Sequence, residues 1–202
     1  MIKIIDYSSG NIGSILNMVK AVGFNSEVAR GPSDLDSASA IILPGVGSFD
    51  AAIAGLRNSG MIEPIVKRVK LDKVPILGIC LGMQLLTKGS EEGSMNGLGL
   101  IDGYCHKLDK QSLRVPHMGW NELHVEKDSV FFDRDIQERF YFVHSYAVSC
   151  NNKKDILTTT EYGNNFVSSF LFDNILGVQF HPEKSHTFGK NFFIKFINSI
   201  NA

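Results

Sequence analysis

At 202 residues, 44% of them hydrophobic and 20% charged, the chain is long enough for one domain with a sizeable core, and residues 1–202 read as that single domain. A formal net charge of −1 gives no reason to expect nucleic acid or an anionic membrane surface as a partner. Cys80, Cys105 and Cys150 are odd in number and widely spaced, which suggests neither a disulfide framework nor a CxxC zinc site. A reducing, cytoplasmic setting is expected, since the N-terminus lacks the pattern of a signal peptide and no apolar run reaches membrane-spanning length.

In chain order, the run containing Lys3 to Asp6 reads as a buried strand that breaks at Tyr7, Ser8, Ser9 and Gly10. From Asn11, an expected N-cap, Ile12, Ile15, Leu16, Val19 and Val22 recur at helical spacing, and Gly23 ends the helix. Strands follow at Asn25 to Ala29 and Ala40 to Leu43, the second stopping at Pro44, Gly45, Val46 and Gly47. Phe49 to Asn58 and Met61 to Lys70 read as helices leading to a strand at Ile76 to Ile79. This alternation predicts an α/β fold with a doubly wound, mostly parallel sheet whose sites gather at the carboxyl ends of its strands. Beyond Leu86, alternation at Glu122 to Val125 and Phe140 to Val143, then Thr158 to Thr160, Phe166 to Phe172 and Ile175 to Val178, predicts further strands joined by hairpins. Phe192, Phe193, Phe196, Ile197 and Ile200 mark a C-terminal amphipathic helix.

The stretch VPILGICLGMQLL, Val74 to Leu86, has the form of a nucleophile elbow, with Gly78 and Gly82 two residues either side of Cys80. A helix beginning just behind the sulfur would direct its dipole and free N–H groups at a thiolate and later at an oxyanion. The plain alternative is a buried cysteine in a central strand. In GVQFHPEKS, Gly177 to Ser185, Pro182 holds His181 off helix, and Glu183 can reach back to its imidazole. A thiol nucleophile needs one group that takes and returns a proton and a carboxylate that steadies it, so Cys80, His181 and Glu183 form a candidate triad. A histidine satisfied at a strand end is the competing reading of His181.

GICLGMQLL around Cys80, FHPEKS around His181 and PGVGSFD from Pro44 together resemble the three signatures of the class I glutamine amidotransferases, the Cys-His-Glu type. Within that family VPHMGWN, Val115 to Asn121, with DYSSGN and YFVHSY, Tyr141 to Tyr146, most resembles the glutaminase subunit of imidazole glycerol phosphate synthase, of histidine biosynthesis. The resemblance runs the length of the chain. It implies that Cys80 attacks the side-chain amide of L-glutamine to give a glutamyl thioester, with His181 protonating the departing ammonia and then activating water. The oxyanion donors would be the backbone of Leu81 and the Val46–Gly47 peptide of the glycine loop, which otherwise reads as an ordinary strand-exit turn. Gly45, Gly47, Gln84, Glu92 and Ser145 resemble positions that hold the substrate, though Gln84 also reads as a solvated helix residue and Glu92 as a surface acid.

The same resemblance implies no cofactor and a (βα)8-barrel cyclase partner that receives the ammonia in a heterodimer. Asn11, the Gly45 loop, Trp120, Tyr141 and Lys184 would face it, with Trp120 in a loop as an anchor or folded back on its own domain. Weak glutaminase activity in isolation is expected. Two stretches depart from the pattern, Ser8–Ser9 and SHTFG, Ser185 to Gly189, and both border the expected partner face. A sugar amidotransferase of surface polysaccharide pathways therefore stays open as the recipient, as do a non-catalytic regulatory subunit and a γ-glutamyl peptidase. Cys105, His106 and His186 carry no assigned role, and no metal site is evident.

Overall fold

The computed structural model describes residues 1–8, 10–109 and 114–200. Ser9, one of the two departing serines, lies outside them. The first half alternates as its periodicity predicts: β1 (Ile2–Ile5), α1 (Ile12–Ala21), β2 (Ser26–Ala29), β3 (Ala40–Leu43), α2 (Phe49–Asn58), α3 (Ile62–Lys70), β4 (Ile76–Ile79) and α4 (Leu81–Leu85). The second half runs β5 (Gly103–Lys107), β6 (His117–Glu122), β7 (His124–Val125), β8 (Arg139–His144), β9 (Tyr146–Cys150), β10 (Ile156–Tyr162), β11 (Asn164–Phe172), β12 (Ile175–Val178) and α5 (His186–Ile200).

Every residue of β1, β3, β4 and β12 is buried, because a parallel strand covered by helices has no solvent face. The period of two divides their side chains between two cores. Ile5, Ile41, Leu43 and Ile76 face α2, α3 and α4, while Ile4, Ile42, Leu77 and Ile79 face α1 and the Phe192, Phe193, Phe196 stripe of α5. The sheet order is β2-β1-β3-β4-β12-β11-β10-β7. Pairing is parallel from β2 to β12 and antiparallel beyond it, with β9 joining β11 and β5 joining β9. The fold class read from the sequence, a doubly wound sheet with antiparallel strands added in the C-terminal half, is the one observed.

β6 and β8 form a separate antiparallel ribbon, so the segment around Trp120, expected as a loop, is a strand. The alternation that would mark it is interrupted by Gly119, whose φ of +136° kinks β6 and weakens its sequence signal. The C-terminal helix starts at His186, a turn and a half before its first phenylalanine pair, because the Pro182–Lys184 3-10 turn feeds it directly and Ser185 O accepts the Gly189 N–H at 3.0 Å. Asn11 stands at the expected cap position of α1, yet its Oδ1 accepts from Ser14 Oγ at 2.9 Å and makes no backbone cap bond.

Candidate active site

Cys80 sits between the end of β4 and the first residue of α4 with φ +54° and ψ −111°, a conformation that costs a non-glycine residue about 1–3 kcal/mol. The surrounding packing supplies that energy by leaving the turn no other course. A Cβ on Gly82 would run into the Leu43 carbonyl, and one on Gly78 would lie 2.7 Å from Leu86 Cδ1 and 2.8 Å from Met83 Cα. The two glycines let α4 press onto β3 and β4, which sets Cys80, only 6% exposed, at the carboxyl end of the central strand β4. Its amide N–H donates to Val178 O at 2.8 Å.

That bond belongs to the parallel pairing of β4 and β12, in which Ile79 lies opposite Val178, so both chains leave the sheet at the same end. Three residues beyond Val178, His181 N donates to Tyr141 O at 2.8 Å, which ties the histidine to the middle of β8. Its Nδ1 lies 2.8 Å from Glu183 Oε1, with side-chain exposures of 2% and 1%. His181 Nε2 and Glu183 Oε2 are buried with no hydrogen-bond partner among the described residues. Burial opposes charge on the imidazole, but the charge of the Cys80 sulfur and the Glu183 carboxylate outweigh it and hold His181 protonated well above the ordinary histidine range. The Cys80 thiol meanwhile contacts Val143 O at 3.7 Å.

Cys80 and His181 share a cavity of about 260 Å³, and its wall brings in Leu81, Gln84, Glu92 and Ser145. Val46 and Gly47 close one side, with Gly47 at φ +98° and open space where a Cβ would be. Gly45 does not reach the cavity. It is buried where a Cβ would lie 2.7 Å from the Tyr7 hydroxyl and 2.8 Å from Gly82 N, so it serves the close approach of the loop to α4. Gln84 is no solvated helix residue: it is 4% exposed and its Nε2 donates to Tyr146 O at 2.9 Å and Gln179 Oε1 at 3.1 Å. With both N–H bonds used inside, Gln84 can meet a ligand only as an acceptor, which suits an ammonium group. Glu92 is half-buried, and its Oε2 accepts from Phe49 N at 2.9 Å, capping α2 where Ser48 makes no cap bond.

The residues expected at a partner surface cluster beside this cavity. Trp120 pairs with Tyr141 across β6 and β8, is 41% exposed, and stacks on His186 with centroids 5.6 Å apart and planes 3° from parallel. Lys184 Nζ lies 5.9 Å above the Tyr141 ring. Asn11 opens α1, which packs against the Pro182–Lys184 turn. The sequence reading missed Met118, 63% exposed on the same ribbon, and left His186 without a place. It also passed over Gln179, His144 and Tyr146, although GVQFHPEKS and YFVHSY contain them.

The other unassigned residues lie elsewhere. Burial pushes the Cys105 and Cys150 thiols up to about 12, so neither offers a thiolate. His106 Nδ1 pairs with Glu91 Oε1 at 3.0 Å on the surface. Among the described residues no three His, Cys, Asp or Glu side chains are grouped to hold a metal ion, and no helix is long and apolar enough to cross a membrane.

A cysteine on a strained elbow, sharing a cavity with the histidine of a buried His–Glu pair at the carboxyl ends of adjacent parallel strands, is the arrangement that thiol-dependent acyl transfer requires. The chain matches the family described as glutamine amidotransferase class-I over residues 3–199, and it belongs to that family. It is 49% identical over 199 residues to imidazole glycerol phosphate synthase subunit HisH 2 of Methanococcus maripaludis, covering 98% of each chain. To the HisH 2 subunit of Pseudomonas aeruginosa it is 42% identical, over 99% of this chain and 100% of that one. Among solved structures, PurLQS from Thermotoga maritima shares the fold with a TM-score of 0.79 at 20% identity, over 98% of each chain.

Proposed function

We propose that this chain, acting as a single domain, is the glutaminase subunit of imidazole glycerol phosphate synthase, releasing ammonia from L-glutamine for a partner subunit. The observation that carries the reading is the sharing of one cavity by Cys80 and His181, whose imidazole is held by Glu183 at 2.8 Å. The Cys80 thiolate attacks the side-chain amide carbon, and the oxyanion forms beside Leu81 and the Val46–Gly47 peptide. His181, held in one tautomer by Glu183, gives its proton to the leaving nitrogen as the C–N bond breaks and the thioester forms. It then takes a proton from water as the thioester is hydrolysed to glutamate. Gln84, Glu92 and Ser145 hold the substrate's polar groups. In this reading the (βα)8-barrel cyclase of histidine biosynthesis covers Asn11, Trp120, Tyr141 and Lys184, and the pair works in the cytoplasm.

Cys80→Ala is expected to abolish glutamine-dependent turnover of the complex while added ammonium still supports the partner's reaction. Surviving glutamine use would remove the nucleophile assignment, and with it the reading. A second reading keeps the chemistry and changes the recipient to a sugar amidotransferase. It is favoured by His186, which lies in the departing SHTFG stretch and stacks directly on Trp120, the expected anchor. Co-purification from the native cell separates the two, since one predicts a barrel cyclase and the other a sugar amidotransferase.

A further inference from the structure

The catalytic cysteine has a neighbour that the triad does not explain. β4 and β12 pair in register through Ile79 and Val178, so the next residue along, Gln179, stands beside Cys80. Gln179 is fully buried, and its backbone N–H donates to Ser168 O at 2.9 Å. Its side-chain Nε2 approaches Cys80 Sγ at 3.7 Å, and its Oε1 accepts from Gln84 Nε2 at 3.1 Å.

Which end of each amide faces which neighbour follows from the groups that can only accept or only donate. Tyr146 O is a carbonyl, so the Gln84 atom 2.9 Å away from it must be the nitrogen. The second N–H of Gln84 then meets Gln179 Oε1, and Gln179 is left with its N–H groups toward the sulfur. The same carbonyl fixes a second branch. His144 Nδ1 lies 2.9 Å from Tyr146 O and must donate to it, which makes His144 Nε2 an acceptor for His117 Nδ1 at 3.0 Å. His117 Nε2 in turn accepts from Asn121 Nδ2 at 3.4 Å, and Asn121 is itself oriented, its Oδ1 accepting from Glu122 N at 2.8 Å. The series requires both histidines neutral, and burial does lower His117 to about 4 and His144 to about 3.

We infer that Gln179 is a positioning residue for the nucleophile, its side-chain N–H directed at Cys80 Sγ by hydrogen bonds anchored on the Tyr146 carbonyl. The inference rests on the proposed role of Cys80. An N–H donated to sulfur favours the thiolate over the thiol, whereas the Val143 carbonyl 3.7 Å from the same sulfur can pair only with the thiol.

The test reads the sulfur itself. Full-length protein and Gln179→Met are treated with iodoacetamide, and modification of Cys80 is followed by peptide mass spectrometry, which separates it from Cys105 and Cys150. Gln179→Met is expected to slow alkylation at pH 7 about tenfold, the worth of one hydrogen bond to a charged group, with the deficit shrinking in more alkaline buffer. An unchanged rate at pH 7, or an equal slowing at every pH, would overturn the inference. Should Gln179→Met melt below the assay temperature, Gln179→Leu, likewise uncharged and without a donor, carries the test with the same outcomes. Because alkylation needs neither glutamine nor a partner, this result and the loss of glutamine use in Cys80→Ala can fail separately.

Discussion

The imidazole of His181 and the carboxylate of Glu183 are joined at 2.8 Å inside a site where both side chains are almost wholly shielded from water. In the proposed mechanism the carboxylate fixes the tautomer and steadies the imidazolium, and neither task can pass to solvent. Glu183→Gln should therefore lower kcat for glutamine hydrolysis by about 10²–10⁴-fold with little change in KM. Steady-state kinetics of the complex check this, and an unchanged kcat would take Glu183 out of the triad.

Glu92 joins the cavity wall to α2, because the oxygen that caps Phe49 N belongs to a carboxylate that lines the cavity. Glu92→Ala is expected to cost about 1 kcal/mol of stability in denaturant unfolding. The same variant should raise KM for glutamine. A purely structural Glu92 would show the first effect without the second.

Gly82 is a steric requirement of the elbow. In Gly82→Ala the new methyl group meets the Leu43 carbonyl, so α4 must lift from β3 and carry Cys80 with it. The expected loss is about 1–3 kcal/mol or more, accompanied by reduced glutamine turnover. Gly13→Ala is the matched control, since nothing lies within 4 Å of its added Cβ. Equal stability in the two variants would refute the packing account of the elbow.

Trp120 lies on the exposed face of β6 with its ring against His186, so removing it should leave the isolated chain folded and weaken the partner complex. Trp120→Ala is expected to shift the melting temperature by no more than a few degrees and to raise the partner's Kd at least about tenfold. Isothermal titration against the co-purified partner measures the second quantity. An unaltered Kd would place the interface elsewhere.

Two buried neutral histidines make the fold sensitive to mild acid. His117 and His144 are lowered to about 4 and about 3, below the roughly 6.5 of an unfolded histidine. Between these values the unfolded chain binds more protons than the native one, so their contribution is complete above about pH 6.5 and lost as pH falls toward 4. His181 is raised instead, so its contribution is already fully present below about pH 6.5 and does not oppose the trend. Calorimetry should show the melting temperature falling from about pH 6.5 to 5.5, above the ordinary carboxylate range, and His117→Phe should flatten the slope. A flat profile in the parent protein would contradict the neutral pairing.

The periodicity of the first half and the three motifs with their glycines were enough to predict the alternating layers, the elbow and the candidate triad, because those features are local. An apolar run of strand length, a glycine that admits close approach and a proline that keeps His181 off helix act within a few residues of themselves. The strand at Trp120 was not legible, since Gly119 breaks its alternation and its pairing with β8 is set across a loop. β5 and β9 were hidden for a similar reason, as each is short and held by pairing with strands distant in the chain. Nor could the sequence distinguish Gln84 and Glu92 from surface residues, place Gly45 behind the cavity wall, or bring Gln179 beside the sulfur. Those facts depend on the register of β12 against β4 and on which carbonyl faces which amide. Long-range pairing fixes both, and no stretch of sequence carries that information alone.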